Sequence, residues 1–191
     1  LKNDIYNQKL SEEGVQIYAS SVDFIHKLID TGIPVGLATS SKNAARVLDL
    51  AGLRDLFQTR VDGVVSAELG LKGKPSPDIF QTACDQLGAA YDKSVIVEDG
   101  TSGVQAGYRG HFGLVLGIAR ENNREELELH GADLVVEDLS EINLEEIQSW
   151  FSGENQKKGW FFEYHTYDPD KEGRRETLCA VGNGYFCTRG A

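Results

Sequence analysis

Val15, Tyr18, Val22, Ile25 and Leu28 recur at three- and four-residue steps, which puts them on one face of a helix. Thr31-Gly32 breaks the pattern, and Gly32 suits a left-handed C-terminal cap. Ile33 to Ala38 is a short apolar run opening at a Gly/Pro boundary, which predicts a buried strand. Ser41 to Ala51 reads as a helix with Val47, Leu48 and Leu50 apolar and Gly52 as its stop. Gly63-Val64-Val65 predicts a weak strand, and Pro77 to Leu87 a helix whose proline falls where no N–H is missed. Val95 to Val97, Phe112 to Ile118 and Ala132 to Val136 predict strands, separated by helices over Ser102 to Arg109 and Arg124 to His130. Strands and helices alternating at this spacing predict an α/β fold with a parallel sheet covered on both faces.

The character changes after about residue 150. Gly153 to Gly159 is polar and reads as a linker. Beyond it Trp160-Phe161-Phe162, Tyr164 and Leu178 to Phe186, with Gly182-Asn183-Gly184 inside, predict β structure. The expected organisation is a core over 1–148, a linker over 149–159 and the start of a β domain over 160–191.

Net charge is −11, with no Lys/Arg cluster to displace counterions from a polyanion, which argues against nucleic acid or an anionic membrane surface as partner. A phosphate ester would have to be drawn in by a few placed cations. Cys84, Cys179 and Cys187 are too few and too scattered for a disulfide framework or a zinc site. No apolar run reaches the length of a membrane span, so a cytoplasmic setting is the expectation. The absence of any Met and the abrupt ends read as a fragment of a longer protein.

Open parallel sheets bind ligands beyond the carboxyl ends of their strands, and three polar clusters fall at or near such ends. They are Thr39-Ser40-Ser41-Lys42-Asn43, Gly73-Lys74-Pro75-Ser76-Pro77-Asp78 and Glu98-Asp99-Gly100. Each has a plainer reading: hydroxyls as helix caps, a solvated lysine in a proline-bounded turn, an exposed Glu98 beside an Asp99 that caps the next helix. Gly100, Gly103 and Gly107 do not form a dinucleotide fingerprint. Taken together, a hydroxyl, a lysine and paired carboxylates suit phosphoryl transfer, which needs donors on the phosphoryl oxygens, a fixed cation and hard oxygen ligands for Mg²⁺. A group to receive the phosphoryl is harder to find. Asp138 stands alone after the last strand, and Asp168-Pro169-Asp170 reads as a turn.

The order Ala38 to Asn43, Gly73 to Phe80, then Val97-Glu98-Asp99 with Gly103 to Gly107, resembles the haloacid dehalogenase superfamily, in particular its β-phosphoglucomutase-like branch, over roughly residues 1–148. The resemblance implies that Thr39 hydrogen-bonds the transferring phosphoryl group, that Lys74 pairs with that group and its nucleophile, and that Glu98 and Asp99 bind Mg²⁺. It implies further that Ser41, Lys42 and Asn43 hold the non-reacting phosphate of a sugar phosphate substrate. The family's Asp-x-Asp nucleophile strand and helical cap have no counterpart in this sequence, so the fragment is expected to be inactive. The fold expected is a Rossmann-like parallel sheet lacking its first strand and cap, with the strands ending at Ala38 and Val97 either gaping or pairing directly.

Residues 160–191 resemble the start of the family 65 glycoside phosphorylases and hydrolases, whose N-terminal domain is a β-sandwich. Together the two resemblances imply consecutive steps on one chain: release of β-glucose 1-phosphate, then its conversion to glucose 6-phosphate. A sugar-phosphate phosphatase and a non-catalytic scaffold domain are the alternatives.

Overall fold

Short runs flanked by helices give, among the described residues, five parallel strands split between two half-sheets. In the computed structural model, Leu10, Glu12 and residues 14–152 are described. Strand β1 (Gly36–Ala38) pairs in parallel with β2 (Thr59–Val61), Gly36 lying opposite Thr59 and Ala38 opposite Val61. Strands β3 (Val95–Glu98), β4 (Leu114–Ile118) and β5 (Leu134–Val136) form a second parallel set in the order β3-β4-β5. Every residue of β4 is buried, as a central strand covered on both faces requires.

The helices are α1 (Ala19–Asp30), α2 (Ala44–Ala51), α3 (Gly63–Glu68), α4 (Asp78–Gln86), α5 (Thr101–Arg109), α6 (Arg124–Leu129) and α7 (Leu144–Ser152). Alternate strand residues point to opposite faces. On one face, Ala38 and Val61 of the first half-sheet join Ile96 of the second through Phe80 of α4 and Phe112. Those two rings meet edge-on at 6.2 Å. On the other face, Val97, Leu116, Ile118 and Val136 pack with Phe24 of α1 and with Leu144 and Ile147 of α7.

β1 and β3 do not pair. A cavity of about 450 Å³ separates them, lined by Gly36 and Ala38 on one side and Val95, Ile96 and Val97 on the other. Of the two outcomes expected for these strands, they gape, and no described strand lies between them.

The predicted alternation holds, with local corrections. Gly63-Val64-Val65 is not a strand but the first turn of α3, because the Asp62 carboxylate accepts from the N–H groups of Val64 and Val65 and starts a helix there. The strand lies just before it, at β2. Val15 and Tyr18 precede α1 rather than belonging to it, although both pack against the Leu37–Val47 cluster as their spacing suggested. Gly32 adopts the left-handed backbone expected of it after α1, and Gly52, expected as the stop of α2, is left-handed as well. Helix α7 was not predicted. Its start carries a reciprocal cap in which Asn143 Oδ1 accepts from Glu146 N–H and Glu146 Oε2 accepts from Asn143 N–H. Trp150 Nε1 then donates to the Gly113 carbonyl at 2.7 Å and fastens its far end. The β-sandwich expected over 160–191 lies outside the described residues. Among the described residues, no helix is long and apolar enough to cross a membrane.

Candidate active site

Thr39 directly follows β1 and is fully buried. Its N–H continues the ladder onto the Val61 carbonyl at 2.9 Å. Its Oγ1 accepts from Ser41 N–H at 3.0 Å, and Ser41 Oγ accepts from Asn43 N–H at 3.2 Å. The hydroxyls therefore shape the turn, but neither caps α2, whose N-cap is Asn43 with no side-chain bond. Ser41 and Asn43 are half-buried and Lys42 is exposed. Gly63 N–H donates to the Ser41 carbonyl, and a Cβ on Gly63 would lie 2.3 Å from the Ser40 carbonyl oxygen. Only glycine lets the β2–α3 turn approach this loop so closely.

Lys74 sits in the loop before α4 with its side chain only 5% exposed. The solvated-turn reading therefore fails. Its ammonium pairs with Glu98 Oε1 and lies 4.8 Å from the centre of the Phe80 ring. Asp78 organises this loop: its carboxylate accepts from the Ser76 hydroxyl and from Lys72 N–H, and those bonds hold its pKa below the usual range. Arg109 reaches the Pro75 carbonyl from α5.

Glu98 ends β3 and is fully buried, so it is not an exposed strand end. Oε2 accepts from the N–H groups of Asp99 and Gly100 at 2.9 and 3.2 Å, while Oε1 takes the lysine. Burial pushes its pKa up to about 7 and the neighbouring Asp99 adds to the rise, while Lys74 pulls the other way. A Cβ on Gly103 would fall 1.6 Å from Oε1, so α5 must carry glycine there to admit the carboxylate. Asp99 is half-buried and does not cap α5, which begins after Gly100 without a side-chain bond.

The structure thus joins Lys74, Glu98 and Asp99 into one cluster and Thr39, Ser41 and Asn43 into another. The two stand on opposite banks of the cavity, since Ala38 and Val97, the residues preceding Thr39 and Glu98, both line it. Among the described residues, no group of three or more His, Cys, Asp or Glu side chains is placed to hold a metal. Glu98 and Asp99 carry the hard oxygen donors that a divalent cation takes, and Glu98 engages both of its oxygens in the bonds above.

Several supporting residues escaped the sequence reading. Asp62, 2% exposed, caps α3 and pairs with Arg60 at 3.0 Å. Asn123 Nδ2 donates to the Asp99 carbonyl at 3.0 Å. Arg120 lies over the Tyr18 ring at 3.7 Å, donates to Ser21 Oγ at 3.0 Å and faces Asp138 at 3.8 Å. Asp138 is a structural residue: it caps the turn at Leu139–Glu141 in a full capping box and accepts from the Ser20 hydroxyl. Asp-Gly after a strand and Asp-Leu-Ser-Glu were the legible signals for Asp62 and Asp138. Nothing local marks Arg120 or Asn123, whose partners are far away in sequence. Asp168 and Asp170 lie outside the described residues.

A parallel sheet with polar residues gathered past its strand ends defines a Rossmann-like α/β class. Within that class, the chain belongs to the haloacid dehalogenase-like hydrolases, whose family model matches residues 2–111. The model for the N-terminal domain of glycosyl hydrolase family 65 matches residues 162–191. A β-phosphoglucomutase of Mycobacterium bovis is 39% identical over 144 residues, 74% of this chain and 55% of that protein. The chain therefore spans about half the length of this relative. An uncharacterized glycosyl hydrolase of Mycobacterium tuberculosis is 35% identical over 136 residues, 71% of this chain but only 10% of its own length. Among solved structures, a β-phosphoglucomutase from Clostridium difficile superposes with a TM-score of 0.68 at 23% identity, covering 82% of this chain and 66% of that one.

Proposed function

We propose that the protein carrying this chain transfers a phosphoryl group on a sugar phosphate in a Mg²⁺-dependent reaction, of the type that converts β-glucose 1-phosphate to glucose 6-phosphate. The observation that carries this reading is the buried Lys74–Glu98 pair beside Asp99, facing a buried Thr39 turn across one sheet edge. Thr39 would bind an oxygen of the transferring group and Lys74 would offset its charge. Ser41, Lys42 and Asn43, at the start of α2, would receive the non-reacting phosphate. Asp99, with Glu98 beside it, would hold Mg²⁺, which when bound supplies positive charge against the phosphoryl oxygens. With a net charge of −11 the general field repels a phosphate ester, so affinity falls on these placed groups. The mutase name of a relative 39% identical supports the substrate class. The family 65 match at 162–191, and a relative in which the matched part is a tenth of a glycosyl hydrolase, support fusion to a disaccharide phosphorylase.

The test gives the protein, with the segments adjoining this chain in its gene, Mg²⁺ and β-glucose 1-phosphate. Glucose 6-phosphate is the expected product, and Thr39→Ala and Lys74→Ala should each lower the rate by about 10²–10³-fold, the scale on which removing one charge-stabilising group acts. Free phosphate alone would make the protein a phosphatase. Neither product, at any Mg²⁺ concentration, would leave a non-catalytic scaffold and sink the proposal.

A further inference from the structure

The loop Ser41-Lys42-Asn43 does not hold its shape alone. The stretch that contains it is tied to the turn after β2 at two points. Thr39 N–H donates to the Val61 carbonyl at 2.9 Å, and Gly63 N–H donates to the Ser41 carbonyl at 3.0 Å. Between those ties the Ser40 carbonyl presses on Gly63, where a Cβ would lie 2.3 Å from the carbonyl oxygen and 3.0 Å from Lys42 Cγ. Gly63 is buried at the start of α3, and its φ lies outside the left-handed region, so space rather than backbone conformation calls for glycine there. The two sides of the contact differ in stiffness. On the turn side Asp62 is buried, accepts from the N–H groups of Val64 and Val65, and pairs with Arg60. On the loop side Ser40 and Lys42 are both exposed, so crowding at the contact moves the loop rather than the turn.

From this contact we infer that Gly63 is a positioning residue for the phosphate-holding loop, with Asp62 keeping the turn rigid behind it. The inference rests on the role proposed for Ser41, Lys42 and Asn43, and adds to it a residue that itself touches no substrate. A methyl group at position 63 drives the Ser40 carbonyl outward by roughly 1 Å, the scale of misplacement that costs about 10²-fold in a bound geometry. Thr39, buried and bonded to the Val61 carbonyl, stays with the sheet. The loss therefore falls on holding the substrate's non-reacting end and not on the chemical step.

The test uses the protein with the segments adjoining this chain in its gene, Mg²⁺ and β-glucose 1-phosphate. It compares wild type, Gly63→Ala, Asp62→Ala and Gly113→Ala. Gly113 precedes β4 at the opposite edge of the sheet, and a Cβ there would also lie 2.3 Å from a carbonyl oxygen, that of Asp92. It is thus a matched clash away from the site. Gly63→Ala is expected to raise KM about tenfold or more with kcat within about threefold, and KM reads the same however much of the variant is folded. Asp62→Ala, which loosens the turn without adding bulk, should raise KM in the same sense by less, and Gly113→Ala should leave KM unchanged. An unchanged KM in both Gly63→Ala and Asp62→Ala, or an equal rise in Gly113→Ala, would overturn the inference and leave the phosphoryl-transfer reading standing. If the wild type forms no product, that reading fails by itself and inorganic phosphate decides the inference. Amide NMR signals of Ser41 to Ala44 that shift saturably in wild type, with about tenfold weaker affinity in Gly63→Ala, uphold it. Equal affinities, or no shift in wild type, overturn it.

Discussion

Glu98 concentrates the site's electrostatics in one side chain. Its carboxyl has an ordinary value of 4.5 and is raised to about 7, chiefly by burial. The folded chain therefore binds this proton more tightly than the unfolded chain does. The stabilisation from this group is complete below the ordinary value and is lost as pH rises through about 7. Asp78 and Asp138 are shifted the other way, so their contributions fade only at more acid pH, below the ordinary carboxylate range. Without Mg²⁺, the urea midpoint should fall between pH 5 and pH 8, and Glu98→Gln should remove most of that slope. An unchanged slope in the variant would show that Glu98 does not carry it. The sequence made the identities of Thr39, Lys74, Glu98 and Asp99 legible because each stands at a strand end or in a proline-marked turn. It could not show that Glu98 is buried or that Lys74 is bonded to it, since residues 24 apart meet only through the fold.

At the scale of elements, the turn after β2 shows how one side chain decides between two structures. Val64 and Val65 are β-branched and favour a strand, yet the Asp62 carboxylate takes both their N–H groups and the helix wins. Local propensity was outvoted by a cap one residue earlier, which is why the strand was misplaced while its neighbours were not. Asp62→Ala should cost about 1–2 kcal/mol by urea denaturation, with Asp62→Asn restoring part of the loss. Equal losses in both variants would assign the effect to the Arg60 ion pair instead. Elements bounded by Gly32, Gly52 and Pro77 were legible because a left-handed glycine or an N-terminal proline fixes the end whatever surrounds it. Helix α7 was not, because its apolar face shows only against a core assembled from distant strands.

Across the whole molecule, the parallel α/β architecture followed from alternation, whereas the division into two half-sheets came from a resemblance rather than from periodicity. What keeps the halves together is side-chain contact, and Phe80 is central to it, 2% exposed between Ala38, Ile96 and Phe112. Phe80→Ala should destabilise the chain by about 3–5 kcal/mol, with amide exchange in β1 and β3 rising together. If β1 alone loosened, the halves would be joined elsewhere.

One loop serves both ends of the molecule's upper edge. Asn123 holds the Asp99 carbonyl, and three residues earlier Arg120 grips Tyr18 and Ser21 at the start of α1 and faces Asp138 on the turn after β5. The acidic turn after β3 and the start of α1 are therefore held by the same short loop. Changes made at Ser21, which this loop contacts, and at Asn123, which it carries, are expected to be non-additive in a double-mutant cycle read by urea denaturation, and additive losses would show that the two contacts are independent.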